Sequence, residues 1–184
     1  MSILNRTVSV VLISGLAIAL AACHNGPPGS STTDVTASPA TSNPYNPITG
    51  AFEPVAPGEL AKAKQAGDCN VDSVNGQIAS SGAPLDHQGA GQFVGWLGDR
   101  VSGKAPSDFQ LVLVGASDYA VKGATGAPRP DVASATGVPG FATSGYQLNA
   151  GMSAVPVGSY GVTLVYQTKG EQMACATKVH VTVE

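Results

Sequence analysis

The C-terminal part of the chain alternates apolar and polar residues with a period of two. From Met173 to Val183 every second residue is Met, Cys, Thr or Val, with residues such as Lys178 and His180 between them. Strict alternation predicts a β-strand with one buried face. Residues 159–167 alternate in the same way, and Thr168-Lys169-Gly170-Glu171 between the two segments predicts a hairpin loop. The two segments and the loop between them therefore predict a pair of antiparallel strands.

Other β signals precede the hairpin. Phe109–Val114 is apolar on both faces, which predicts a central strand, and Phe93–Leu97 is similar. The second segment contains Trp96, for which a core position is favoured over a surface contact. Weaker strands are predicted at 71–78, 119–122 and 146–148. About seven short strands separated by Gly, Pro and Ser turns predict a mainly β fold, an antiparallel β-sandwich.

Two short helices are also predicted. Glu59–Ala66 contains good helix formers, with Pro57 and Gly58 before it and Gly67 after it. Pro130–Thr136 begins with proline and is followed by Gly137, which predicts one or two helical turns inside a long connection. Long connections are often functional.

One local motif refines the fold class. Val155-Pro-Val-Gly-Ser-Tyr160-Gly-Val162 resembles the proline-glycine-x-tyrosine corner of immunoglobulin-like and fibronectin-like domains, although the proline and glycine are two apart here. The resemblance implies that the Tyr160 hydroxyl bonds back to the corner's backbone. The wider segment 125–166 resembles an uncharacterised sandwich module of bacterial envelope proteins. That module has no agreed activity, so the resemblance implies a fold more than a function.

The N-terminus predicts export. Arg6 is the one charge before an apolar run, Val8–Ala22, that is too short to span a bilayer. Leu20-Ala21-Ala22-Cys23 then resembles the lipobox of bacterial lipoproteins. The resemblance implies removal of residues 1–22, acylation of Cys23 and a membrane anchor, and stable anchoring takes more than one acyl chain. By analogy with enteric sorting rules, His24 implies the outer membrane of a Gram-negative cell. The alternative is a secreted protein that is cut elsewhere.

The segment that follows is predicted to be a tether. Residues 23–58 hold seven of the chain's 13 prolines and no Lys or Arg, a composition typical of a disordered linker. The alternative for its last part is that Tyr45, Ile48, Phe52 and Val55 dock on the domain. The folded domain is predicted to cover residues 59–184.

Charge and cysteine content narrow the class of protein further. Removing residues 1–22 leaves eight basic residues against 12 acidic ones, a formal charge of −4, which argues against nucleic acid as a partner. With Cys23 acylated, Cys69 and Cys175 predict one disulfide in an exported protein. The alternative is two buried thiols.

Catalytic and metal-binding patterns are weak. His87, beside Asp86, is more consistent with a solvated loop residue than with part of a triad. Asp68-x-Asn70-x-Asp72 copies the start of a calcium loop but lacks the later glycine and glutamate. No cofactor or metal is therefore predicted.

The expected function is that of a non-enzymatic, lipid-anchored envelope protein, displayed at the surface or binding a protein or glycan. Arg129, Phe141 and Tyr146 are the predicted contacts, because arginine and aromatic residues are common interface anchors. One alternative is a periplasm-facing accessory factor in envelope assembly. A remote alternative is a hydrolase that uses His87.

Overall fold

The computed structural model describes residues 45–79 and 82–184. These residues form twelve β-strands and one α-helix, with three-ten turns at Leu60–Lys62 and Pro139–Phe141. The elements are β1 (Ile48–Ala51), β2 (Glu53–Pro54), β3 (Lys64–Gln65), β4 (Asp68–Val74), β5 (Gln77–Ile78), β6 (Pro84–Leu85), β7 (Ala90–Gly98), β8 (Asp108–Val114), β9 (Tyr119–Ala124), α1 (Pro130–Thr136), β10 (Gly145–Gly151), β11 (Gly158–Thr168) and β12 (Glu171–Val183).

The strands form two sheets. The five-stranded sheet has the order β1-β10-β7-β4-β5, and the seven-stranded sheet has the order β2-β9-β8-β11-β12-β3, with β6 also paired to β12. The mainly β fold is thus confirmed, but the sheets are mixed and the strands more numerous than predicted. β1, β3 and β6 all pair in parallel at sheet edges. Each has two to four residues, too few for an alternation that the sequence would reveal.

The long strands bury one face each, as period-two patterning requires. Phe93 and Leu97 of β7 and Leu111 and Leu164 of β8 and β11 are fully buried between the sheets. Burying one such side chain contributes about 1.5–3 kcal/mol. The C-terminal hairpin closes as predicted, with Thr168 paired to Glu171 and positive φ angles at both loop residues. That loop geometry matches the twist of antiparallel strands.

A disulfide links the two sheets, and a tyrosine hydrogen bond closes the turn before β11. Cys69 of β4 is bonded to Cys175 of β12, with their Cα atoms 6.2 Å apart, so the bond joins the two sheets. The Tyr160 hydroxyl donates to the carbonyl of Pro156 at 2.9 Å. This is the contact that the corner motif predicts.

The folded part of the chain begins before residue 59. Phe52 is buried between β1, at the edge of one sheet, and β2, at the edge of the other. The Tyr45 hydroxyl accepts the N–H of Gln147 at 2.8 Å and lies 3.2 Å from the carbonyl oxygen of Ala124. Residues 45–58 are therefore part of the folded β-rich region, as the docking alternative holds. The predicted signal peptide, Cys23 and the rest of the predicted tether lie outside the described residues.

The predicted helix at 59–66 is wrong. The chain makes one three-ten turn at Leu60–Lys62, becomes extended at Ala63 and pairs as β3 with Met173 and Ala174 of β12. We call residues 55–63 the strap, because they cross the outer face of the seven-stranded sheet from β2 to β3. Their apolar side chains Val55, Leu60 and Ala63 pack on Val112, Val165 and Ala174. Pairing and packing on the sheet outweigh a weak helical preference.

The second predicted helix is confirmed as α1. It begins at Pro130 and ends before Gly137, whose φ of 70° is the left-handed conformation that favours glycine. Val132 is its buried residue. In the described ranges, no helix is both long enough and apolar enough to cross a membrane.

Candidate binding face on the five-stranded sheet

Trp96 lies on the outer face of the five-stranded sheet. In β7, Phe93 and Leu97 point into the core, so Trp96 points away from it together with Gln92 and Val94. Trp96 is half-buried, whereas its neighbours Phe93 and Leu97 are completely buried. The predicted core position is therefore wrong, and the reason is the alternation of β7 itself.

The excursion between β9 and β10 covers one side of Trp96. The ring of Phe141 lies with its centroid 6.4 Å from that of Trp96. It also lies directly over Gly98, where a Cβ atom would come within 2.3 Å of the Phe141 ring. Phe141 is fully buried in this position. It holds the excursion on the sheet and is not available as the partner contact that the sequence predicted.

Tyr146 is also buried, so it does not serve as the predicted contact. It points into the core from β10, with its ring centroid 4.8 Å from that of Phe109. Its hydroxyl donates to the carbonyl of Asn70 at 3.3 Å. Burial raises the pKa of Tyr146 above its ordinary value, and the negative charge of Asp72 raises it further. The side chain is therefore a neutral core residue.

Arg129 is the predicted contact that does lie on this face. Its Nη1 is 2.7 Å from Asp72 of β4, and its Nε and Nη2 are 3.0 and 2.8 Å from the two carboxylate oxygens of Asp131. The stem of the side chain crosses Gly145, where a Cβ atom would come within 2.8 Å of the Arg129 Cγ. The absence of a side chain at position 145 thus makes room for Arg129.

The electrostatics of this group follow from the two carboxylates. The hydrogen bond to Asp131 raises the pKa of Arg129, burial opposes the rise, and Asp72 adds to it. The bond from Arg129 likewise lowers the pKa of Asp131. Asn70 extends the network, because its amide donates to Asp72 at 2.7 Å. The arginine is therefore held in one orientation, with only 21% of its side chain exposed.

Amide side chains continue the face beyond Trp96. Gln92 of β7 donates to the side-chain oxygen of Asn149 of β10 at 3.3 Å, and Gln147 lies on the same face. A half-buried indole ring thus lies between fixed charges on one side and amides on the other. Such a surface combines apolar contact with hydrogen bonding.

The calcium-like motif does not form a metal site in the described ranges. Asp68 lies against Arg100, and Asp72 against Arg129, so each carboxylate faces a guanidinium. Within residues 45–79 and 82–184, no three His, Cys, Asp or Glu side chains cluster as metal ligands. The alternating acidic positions are explained by β4, whose outer face they occupy.

His87 is held by the backbone. Its ring Nδ1 lies 2.8 Å from the carbonyl oxygen of Val155, and its backbone N–H donates to the carbonyl of Glu184 at 2.9 Å. The carboxylate of Asp86 accepts the N–H of Gln88 instead of contacting the imidazole. Among the described residues, no serine hydroxyl bonds to this imidazole, so the geometry of a triad is not present there.

No protein-family model, no curated protein and no solved structure matches the chain significantly.

Proposed function

We propose that the chain is a lipid-anchored envelope protein whose β-sandwich binds a partner on the outer face of the five-stranded sheet. The partner is an envelope protein or a glycan, and the module is not catalytic. One observation carries the binding role, the half-buried ring of Trp96 on the outer face beside an arginine that two carboxylates hold in place. The anchor rests on Leu20-Ala-Ala-Cys23.

The proposed fold family is immunoglobulin-like, nearest to the fibronectin-like arrangement. Its support is the order of the long strands, β10-β7-β4 in one sheet and β9-β8-β11-β12 in the other. If β4 is taken as strand A, these orders correspond to E-B-A and C′-C-F-G of that class. The tyrosine corner then falls at the start of strand F, which is where the class carries it. The parallel edge strands are additions to this plan.

The fixed arginine favours binding for an entropic reason. Ordering a free arginine side chain on association costs about 0.5–1.5 kcal/mol. Here Asp72 and Asp131 have already ordered the Arg129 side chain, so a partner that bonds to it does not bear this ordering cost. Tryptophan and arginine are also the residues most enriched among energetic anchors of interfaces.

In-cell photo-cross-linking tests the binding face. A photoreactive residue at Val94, next to Trp96 on the outer face, is expected to capture a discrete partner. The same group at Lys178, which is exposed on β12 of the other sheet, is the matched control. Trp96→Ala is expected to abolish the cross-link from position 94, while Val101→Ala, which shortens an exposed apolar side chain elsewhere, preserves it. Equal capture from both positions would argue against this face.

The anchor has its own test. Mass spectrometry of the mature protein is expected to find a chain that begins at Cys23 and carries acyl groups. Cys23→Ser should remove the lipid and release the protein from membranes, and Ser14→Ala in the apolar run should not. A mature start at another residue would reject the anchor and leave the binding face untouched.

Protease treatment of intact cells distinguishes surface display from the alternative, a periplasm-facing accessory factor. Loss of the domain from intact cells indicates display. Protection until the outer membrane is opened indicates the accessory role.

A further inference from the structure

Beside the strap, a groove runs over β8 and β9 of the seven-stranded sheet and reaches β1, the edge strand of the five-stranded sheet. It consists of two hollows of about 410 and 540 Å³, which meet at Gln110, Lys122 and Gln172. One hollow is bounded by Pro106–Asp108 at the start of β8, and the other by β1, by β2 and by Val55 and Glu59 of the strap. Each hollow lies within the range of small-molecule sites, about 300–1,000 Å³.

The strand register explains the polar lining. Lys122 of β9 pairs with Gln110 of β8, and Gln110 pairs with Val165 of β11, so these three side chains form one row on the outer face. Gln167 and Gln172 pair across the terminal hairpin and lie beside that row. Val165 is buried and forms the floor. The strap packs on the same valine, and its residues Val55 and Glu59 border the second hollow.

The polar groups of the groove have hydrogen-bonding capacity to spare. Within the described part of the chain, the amides of Gln110, Gln167 and Gln172 make no side-chain hydrogen bonds, and Lys122 makes no ion pair. Each carboxamide presents both a donor and an acceptor. Sugar hydroxyls also both donate and accept hydrogen bonds, so a saccharide can bond to the donors and the acceptors of these amides.

Charge and topology disfavour two other ligand classes. Glu59 is paired with Lys62, and Lys122 is one positive charge against the carboxylates of Glu53 and Asp108, so the groove has no excess of positive charge to bind a polyanion. An extended peptide usually gains affinity by pairing with a free sheet edge. Here β2 occupies the β9 edge at Tyr119 and Ala120, so a peptide would have only the short stretch from Val121 to Ala124 to pair with on that side.

We propose that this groove binds a short neutral oligosaccharide through Gln110, Lys122, Gln167 and Gln172. The site is separate from the Trp96 face and does not depend on the anchor. Because the groove lining includes no exposed aromatic ring for stacking, binding relies on hydrogen bonds and is weak for a single copy.

Nuclear magnetic resonance of the full chain in detergent micelles tests the proposal. Maltotriose and chitotriose serve as neutral probes, and the tripeptide Gly-Gln-Gly serves as the peptide probe. At millimolar trisaccharide, the side-chain NH₂ signals of Gln110, Gln167 and Gln172 are expected to shift. The double variant Gln110→Ala/Lys122→Ala should weaken binding by about tenfold or more, because two polar contacts are lost.

Matched controls locate the site. Gln147→Ala removes an amide from the outer face of the other sheet and should change the dissociation constant by less than about twofold. Trp96→Ala should also leave the titration unchanged. Gln172→Glu, at a half-exposed position, keeps the size of the side chain and supplies a second variant if the double variant unfolds.

Three outcomes would overturn the proposal. The glutamine signals stay fixed with both trisaccharides, they shift with the tripeptide alone, or Trp96→Ala abolishes the titration. The third outcome would place the saccharide on the Trp96 face, and it would support the proposed function while rejecting the groove.

Discussion

The carboxylate of Asp99 ties a surface loop to the end of β11. Asp99 is 2% exposed; it accepts the N–H of Val101 at 3.0 Å and the hydroxyl of Thr168 at 2.9 Å. Burial alone would raise the pKa of Asp99, but hydrogen bonds from Ser102, Thr168 and the Val101 N–H outweigh it and lower the pKa. The folded pKa thus lies below the unfolded value of about 3.9. The stabilisation is full above that value and is lost as the pH falls through the folded pKa.

We therefore expect Asp99→Asn to lower the free energy of unfolding at pH 7 by about 1–3 kcal/mol. The variant should also lose less stability than the wild type between pH 5 and pH 2. Urea denaturation at both ends of that range measures the difference. Glu53→Gln, which removes an exposed carboxylate, is the control. A variant that loses as much stability in acid as the wild type would contradict the assignment.

Tyr160→Phe removes a single hydrogen bond from the corner. The hydroxyl of Tyr160 bonds to Pro156, whereas that of its neighbour Tyr119, whose ring centroid lies 6.2 Å away, makes no hydrogen bond among the described residues. We expect Tyr160→Phe to cost about 1 kcal/mol of unfolding free energy and Tyr119→Phe to cost close to nothing. Equal effects in chemical denaturation would mean that the corner bond does not contribute.

The candidate face was only partly predictable from its residues. Arg129 is predicted as a contact because arginine in a long connection is a common anchor, and it does lie on this face. Trp96 was missed because 93–97 is apolar throughout, although the alternation from Phe93 to Leu97 already placed position 96 on the opposite face. Tyr146 was misassigned for the converse reason, since it shares a face with Leu148 and Ala150 in β10. Period two decides orientation better than residue type does.

At the scale of elements, local signals predicted the long strands and α1, and they failed for the strap. A strand such as β12 carries its own pattern over thirteen residues. The strap has Leu60 and Ala63 three residues apart, which is compatible with both a helix and a single three-ten turn. The conformation of the strap is set by the sheet beneath it. The apolar outer patch of that sheet and the β12 edge that β3 pairs with are distant from the strap in sequence. No window around residue 60 contains that information.

The strap should therefore detach before the sheets unfold. Leu60→Ala reduces its contact with the patch formed by Val112, Val165 and Ala174, and we expect a loss of about 1 kcal/mol, less than for a fully buried leucine. Amide hydrogen exchange at 55–66 should accelerate, while exchange in β8 stays nearly unchanged. Lys62→Ala, an exposed substitution in the same turn, is the control. Equal acceleration in β8 would show that the strap and the sheets unfold as one unit.

At the scale of the whole molecule, one covalent bond joins the two sheets. Cys69 and Cys175 are 106 residues apart, so the bond encloses nearly all of both sheets. The strap, β1 and β2 lie outside this loop. A long closed loop restricts the unfolded chain strongly, and loss of such a bond typically costs about 2–5 kcal/mol.

We expect the double variant Cys69→Ala/Cys175→Ala to lose about 2–5 kcal/mol of unfolding free energy, and its urea midpoint to fall accordingly. Reducing agent should shift the wild type to the same midpoint and leave the variant unchanged. A midpoint that does not respond to reductant would mean that the sheets hold together without the bond, with the buried interface alone setting their stability.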